Sequence, residues 1–292
     1  MATDRLTTAP RRLVLIADDF GLSAGVDAAI VALARTERLT GCSAMTRQPH
    51  WAEGAARLRE LPELQVGLHL DLAELDRPLP QALLLAWARR LGPRVDDAIE
   101  RQLDAFDRQL HRMPDYLDGH RHIHQWPGVR ERVLAVWLRH YGRAPAWARA
   151  TRPRQSDELP MGGKAQIIHR LGGPTWERLL ARAGVRHNRG FLGVYDFQGD
   201  AGRYAGLVER WCALAGDGDL MMCHPAAQGP APSEAPDAIA AARLNEFNVW
   251  SAPETAERLA AWGVAILSGR ALTEQIDTLG WTPPVPARAP SQ

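Results

Sequence analysis

The stretch Leu13-Val14-Leu15-Ile16-Ala17-Asp18-Asp19-Phe20-Gly21 joins an apolar run of strand length to two adjacent carboxylates and a glycine. Leu13 to Ile16 reads as a buried strand, and the next segment, 24–35, has helical period with Val26, Ile30 and Leu33 on one face. The same alternation repeats along the chain. Further strands are predicted over 39–45, 66–70 (introduced by Pro62), near 116–118, and over 191–195, 220–223 and 264–267, with helices over 50–60, 81–90, 96–110 and 128–139. Strand alternating with helix at this spacing is the signature of a parallel sheet with crossover helices. About seven strands fit a closed or nearly closed (β/α) barrel better than an open doubly wound sheet. The fold expected is therefore α/β, a single-domain and irregular (β/α) barrel over 12–280, with flexible ends at 1–11 and 281–292. No internal repeat appears, and the proline-rich run 229–236 reads as a surface loop.

The chain has 292 residues, 46% apolar and 24% charged, which excludes disordered and fibrous classes. A chain of this length buries roughly three quarters of its unfolded surface, so folding alone demands no disulfide or metal. Thirty-five basic residues against 34 acidic ones leave a formal charge of +1, without the basic excess of a nucleic-acid or anionic-membrane binder. Lys164 is the only lysine, and its Gly-Gly-Lys-Ala setting is no phosphate loop. Cys42, Cys212 and Cys223 form no C-x-x-C pair, which disfavours a disulfide framework or thiolate zinc site and points to a reducing, cytoplasmic compartment. The polar start lacks a signal peptide's hydrophobic core, and no run approaches the ~20 apolar residues of a membrane helix.

Chemistry in a parallel barrel sits where strands end. Asp18-Asp19 follow the first strand and His69 ends the third. Asp118, His120, His122 and His124 follow the fourth in the run Leu-Asp-Gly-His-Arg-His-Ile-His, and His224 stands before Pro225 in Met-Cys-His-Pro. Singly, each has a bland alternative. The aspartates could cap and charge the following helix, His69 could be a packed strand residue, and histidine runs occur on surfaces. Four strand ends delivering carboxylate or imidazole to one rim favour a site instead. Oxygen and nitrogen donors without thiolate suit a divalent ion with open positions. Period two would point the three histidines to one side. Trp126 could line a pocket, and Arg243 with Glu246, three apart on a helical pattern, reads as a surface ion pair. Loops at 143–173 and 186–202, carrying Arg152, Arg154, Arg186 and Arg189, are expected to set specificity; these arginines read either as solvated surface or as contacts for an anionic group.

Taken in order, Ala-Asp18-Asp19-Phe-Gly-Leu-Ser, Val-Gly-Leu-His69-Leu, Leu-Asp118-Gly-His120-Arg-His122-Ile-His124 with Pro127, and Met-Cys-His224-Pro-Ala resemble the YdjC-like family, over about 12–269. That family includes chito-oligosaccharide and hopanoid-biosynthesis deacetylases. The resemblance implies a (β/α) barrel that removes an acetyl group from an N-acetylated sugar with one divalent metal ion, Mg2+ or Zn2+. It implies Asp19, His69 and His120 as metal ligands, Asp18 as general base and His224 as general acid. His122, His124, Asp118 and Trp126 are placed around the metal or at the substrate rim. The chain departs from the family's His-x-Asp-Ser-His at Tyr116 and Gly119, and Asp71-Leu-Ala-Glu-Leu replaces the usual segment after His69.

The residue types agree with amide hydrolysis. A bound metal lowers the pKa of water, a carboxylate takes its proton, and an imidazolium protonates the departing amine. No Gly-x-Ser-x-Gly elbow supports serine chemistry. A metal-dependent phosphoesterase on the same barrel would want more bridging carboxylates, and a catalytically silent sugar-binding barrel would waste a full set of competent side chains. The expected partners are an N-acetylated sugar or glycolipid substrate, with no nucleic acid and no integral membrane segment; a homodimer is compatible.

Overall fold

The computed structural model describes residues 9–72, 81, 92–141, 146–154, 162–231 and 234–281. Strand β1 (Arg11–Phe20) is the axis of the sheet. It pairs in parallel with β2 (Gly41–Ala44) on one side and with β8 (Asp219–Cys223) on the other, while its first residues pair with β9 (Val264–Ile266). Outward from β2 lie β3 (Gln65–Leu70), β4 (Tyr116–Gly119), β5 (Trp147–Ala148) and β6 (Arg186–His187); β7 (Phe191–Leu192) flanks β8. Every pairing is parallel. The sheet curls until the segment after β5 meets β7 through a parallel bridge between Pro153 and Phe191, where the Phe191 amide donates to the Arg152 carbonyl at 2.8 Å.

Helices wrap this sheet: α1 (Ala24–Arg35), α2 (Trp51–Leu58), α3 (Gly92–Leu110), α4 (Arg130–Tyr141), α5 (Gly162–Arg170), α6 (Gly173–Ala183), α7 (Ala201–Leu214), α8 (Ala240–Ser251), α9 (Thr255–Ala261) and α10 (Gly269–Gln275). Capping sets three of the starts: the Ser23 hydroxyl accepts from the Val26 amide, Asp200 from that of Arg203, and Ser268 from that of Ala271. The result is the single-domain (β/α) barrel expected. Among the described residues nine strands replace about seven, because β5 and β6 are two residues each, too short to leave a periodic trace. The expected helix at 81–90 lies, beyond residue 81, outside the described residues, as do the ends 1–8 and 282–292. Among the described residues no helix is long and apolar enough to cross a membrane.

The period-two geometry of strands sorts side chains into two populations. Leu13, Leu15, Ala17, Cys42, Val66, Met221 and Cys223 point outward, into a core shared with Ile30 and Leu33 of α1 and Trp211 of α7. Leu68, Leu70, Leu117 and Ala148 meet a second outer core with α3, α4 and α6. Val14, Ile16, Tyr116, Trp147, Leu220 and Met222 point inward and fill the barrel floor. Two residues further along the same inward rows stand Asp18 after Ile16, Asp118 after Tyr116, Arg149 after Trp147 and His224 after Met222. Strand parity alone thus carries a layer of polar side chains to the barrel mouth.

The floor is tightly fitted. Tyr116 stacks on Trp147 with ring centroids 4.1 Å apart, and its hydroxyl is 3.0 Å from Ser43 Oγ. Gly67, next inward before His69, makes room for that ring, since a Cβ there would lie 2.2 Å from Tyr116 Cε2. Gly67→Ala is expected to cost about 1–3 kcal/mol by overpacking. In a Tyr116→Leu background most of that penalty should vanish, the signature of contacting residues. Denaturant unfolding of the double-mutant cycle checks this, and a penalty equal in both backgrounds would refute the fit.

Candidate functional site

At the barrel mouth a single guanidinium organises the charges. Arg149 is wholly buried and forks onto Asp18, with Nη1 2.7 Å from Oδ2 and Nη2 2.6 Å from Oδ1. Nη2 is also 2.6 Å from Asp118 Oδ2, which accepts the Ser43 hydroxyl at 2.7 Å. Bidentate charge-assisted bonds of this kind are short and directional. Burial pushes the Asp18 carboxyl up, but Arg149, with His69 and His224, outweighs it and holds the group well below the usual carboxylate range.

The other oxygen of Asp118 lies 2.6 Å from His69 Nδ1. That contact turns the opposite nitrogen, Nε2, toward Asp19 Oδ1 at 3.4 Å. Burial lowers the His69 imidazole, but Asp118 and Asp18 raise it to about 10. Asp19 would point outward by strand parity. Instead it takes a left-handed conformation (φ 71), where β1 slips register against β2 between Ala17 and Phe20. The bulge turns its carboxylate back to the mouth. Oδ1 lies 3.1 Å from His120 Nδ1, and Oδ2 accepts from Arg243 Nη2 at 2.7 Å. Burial would raise Asp19, yet Arg243 and the two imidazoles hold it well below the ordinary range.

One ligand atom each from Asp19, His69 and His120 lies within 4.8 Å of the others. This set fits a divalent ion: Oδ1 is free of the guanidinium that takes Oδ2, both histidines present a ring nitrogen, and Asp118 orients one of them from behind. A second grouping, Asp18, His69 and Asp118, also comes together among the described residues. Both of its carboxylates are already engaged by the Arg149 guanidinium, so it suits a further cation poorly.

The remaining histidines disperse. His120–Gln125 is a 3₁₀ turn with left-handed Arg121 (φ 52) and His122 (φ 58), so the strand alternation that would align the three imidazoles does not exist. His120 reaches Asp19. His122 stands edge-on to Phe191, with centroids 5.6 Å apart, and burial keeps it well below the usual imidazole range. His124 Nε2 donates to the Arg149 carbonyl at 3.2 Å, and burial pushes it down to about 4. Trp126 packs in the outer core with Val133 and Trp137. At Gly119 a Cβ would approach the His124 amide to 3.1 Å, so glycine suits this tight reversal.

His224 is at the rim, with Nε2 3.9 Å from Asp18 Oδ2 and Nδ1 4.0 Å from Glu246 Oε1. Arg243 and Glu246, expected as an exposed ion pair, are buried and turn inward from α8 to different partners. Arg243 serves Asp19 and Asp237, while Glu246 accepts from the His224 amide at 2.6 Å. Three of the four loop arginines have structural partners: Arg152 binds Glu177, Arg154 binds Asp219 and Arg186 binds Asp277. Arg149, Ser43, Arg243 and Glu246 are the site residues that motif reading missed.

Residues 12–261 match the sequence model of the YdjC-like protein family. The carbohydrate deacetylase of Geobacillus stearothermophilus is 30% identical over 281 residues, 89% of this chain and 98% of that protein. The carbohydrate deacetylase of Mus musculus is 29% identical, covering 87% and 93% respectively. A crystal structure from Enterococcus faecalis V583, described provisionally as a cellobiose-phosphate cleavage protein, shares the fold with a TM-score of 0.58 at 17% identity, over 90% of this chain and 99% of that one.

The role of Arg149 has a pH signature. Asp18 is held below its unfolded value, so its contribution is present above the ordinary carboxylate range and lost only as pH falls through the lower folded value. In Arg149→Met, burial acts on Asp18 without the counter-charge, and the variant loses stability as pH rises. The deficit against wild type should reach about 3–5 kcal/mol at neutral pH and shrink towards about pH 4. Thermal unfolding across that range checks it; a deficit independent of pH would contradict the account.

Proposed function

The chain belongs to the YdjC-like family, and on that premise we propose that it is a metal-dependent carbohydrate N-deacetylase, hydrolysing the acetamide of an N-acetylated sugar or glycolipid. The observation that carries the reading is the convergence of Asp19, His69 and His120 at the barrel mouth, together with a fixed carboxylate, Asp18, and a rim imidazole, His224. The carboxylates of the neighbouring Asp18, His69 and Asp118 cluster are engaged by Arg149, which disfavours their bridging a second metal for phosphoester chemistry, and no proposed position lacks a competent side chain.

A divalent ion held by Asp19, His69 and His120 would supply Lewis-acid polarisation and a more acidic water. Two imidazoles suit zinc, while open positions leave room for a magnesium ion that keeps its waters. Asp18 is ionised at neutral pH and fixed in place by Arg149, so it is poised to take the proton of the attacking water. Its basicity is low because Arg149 stabilises the anion, which favours passing the proton onward. His224 Nε2, on the other side of Asp18, gives a proton to the amine nitrogen as the C–N bond breaks. The products are the free amine and acetate.

Acetate release from N-acetylated chito-oligosaccharides, measured after chelation and after adding back zinc or magnesium, tests the reading. Activity should disappear on chelation and return with metal. Asp19→Asn should lose metal, whereas Asp18→Asn should keep it and lose about 10²-fold in turnover. Full activity in chelated protein, or equal metal loss in both variants, would overturn it.

A further inference from the structure

Glu246 is wholly buried on α8, yet every hydrogen bond it accepts comes from a neutral donor. Tyr195 Oη donates to Oε1 at 2.7 Å. Tyr204 Oη and the His224 amide donate to Oε2 at 3.2 and 2.6 Å. A buried carboxylate ordinarily needs a charged partner. Arg243, one turn earlier on the same helix, is committed to Asp19 and Asp237. Lys164, near the same loop, donates to the Tyr195 carbonyl. Among the described residues, the ionisable base within ion-pair distance of Glu246 is the His224 imidazole, with Nδ1 4.0 Å from Oε1. That Nδ1 is itself buried and without a hydrogen-bond partner. The imidazole nitrogen without a partner and the carboxylate without a charged partner therefore face one another.

We infer that Glu246 is a positioning residue that holds the His224 backbone through the amide and the imidazole through Nδ1–H, leaving Nε2 directed at Asp18 and the substrate. The inference rests on the deacetylase reading, to which it adds the group that aims the acid. The gap at Nδ1 is wider than a formed hydrogen bond, as such contacts often are before substrate binds. In the reaction the Nε2 proton passes to the amine nitrogen, which keeps the electron pair of the broken C–N bond, while the Nδ1 proton stays on the imidazole, directed at Glu246. The proton that Asp18 took from water then returns to Nε2 through a solvent molecule, because the 3.9 Å that separates them is beyond hydrogen-bond reach. Tyr195 and Tyr204 hold the two carboxylate oxygens in place, and Trp250 Nε1 donates to Tyr204 Oη at 3.0 Å, fixing the outer end of the network. One helix thus orients both a metal-ligand candidate, through Arg243, and the acid, through Glu246.

The test combines Glu246→Gln, His224→Ala to identify the resonance, and two substrates: an N-acetylated chito-oligosaccharide and p-nitrophenyl acetate, whose leaving group needs no proton. Glutamine keeps the size and an acceptor for the His224 amide. In wild type the imidazole 15N spectrum should show His224 protonated at Nδ1, and Glu246→Gln should shift that signal. Its kcat on the amide should fall about tenfold or more, the scale of a weakened general acid, with KM and kcat on the ester within about twofold. An unprotonated Nδ1 in wild type, an unchanged Nδ1 in Glu246→Gln, or equal losses on both substrates would overturn the assignment. If Glu246→Gln does not fold, the wild-type Nδ1 state decides. Failure of wild type to release acetate would sink the deacetylase reading instead, leaving the imidazole spectrum to judge the pair.

Discussion

The Arg149 guanidinium is the constraint on which the site depends. It is buried at the barrel mouth against carboxylates from two strands, Asp18 of β1 and Asp118 of β4. Neither carboxylate could remain ionised there alone, because desolvating a charge costs far more than any single hydrogen bond returns. One cation faces two anions, and His69 shares the remaining negative charge through Asp118. From that pairing the geometry propagates: Asp118 sets the ring of His69, and His69 turns Nε2 toward Asp19.

The second support comes from the helix layer. Arg243 reaches in from α8 to take one oxygen of Asp19 and leaves the other facing His69 and His120. Asp19 needs that anchor because its backbone is in a left-handed conformation, which persists only where the surroundings fix it. The strand interior thus supplies rigid groups by parity, while the bulge and α8 supply the exceptions that complete the donor set. Tyr116 and Gly119, the departures from the family pattern, are absorbed locally by the space at Gly67 and by the tight turn into His120.

Much of this was legible in the sequence, for physical reasons. Long strands such as β1 and β3 advertise themselves as apolar runs, and polar residues at their ends stand out against that background. Asp19, His69 and His120 stand out among several candidates because each follows such a run or lies in the histidine cluster, and the resemblance to the YdjC-like family singles them out as the expected ligand set. Arg149 escaped because β5 is two residues long, although its position two beyond Trp147 places it on the inward row once the strand is known. The expected alignment of His122 and His124 with His120 fails because two left-handed residues abolish the strand period across them. Arg243 and Glu246 looked like a surface pair because their spacing fixes only a common helix face; which way that face turns is decided by tertiary packing.

The central claim is that Asp19, His69 and His120 form one metal centre held by Arg149 through Asp118 and by Arg243. Anomalous diffraction from crystals soaked in zinc tests it most directly. The account predicts one strong peak about 2.0–2.2 Å from a nitrogen of each histidine and from an oxygen of Asp19, with the Arg149 fork onto Asp18 intact. A peak among Asp18, His69 and Asp118, or none near the three named residues, would contradict it.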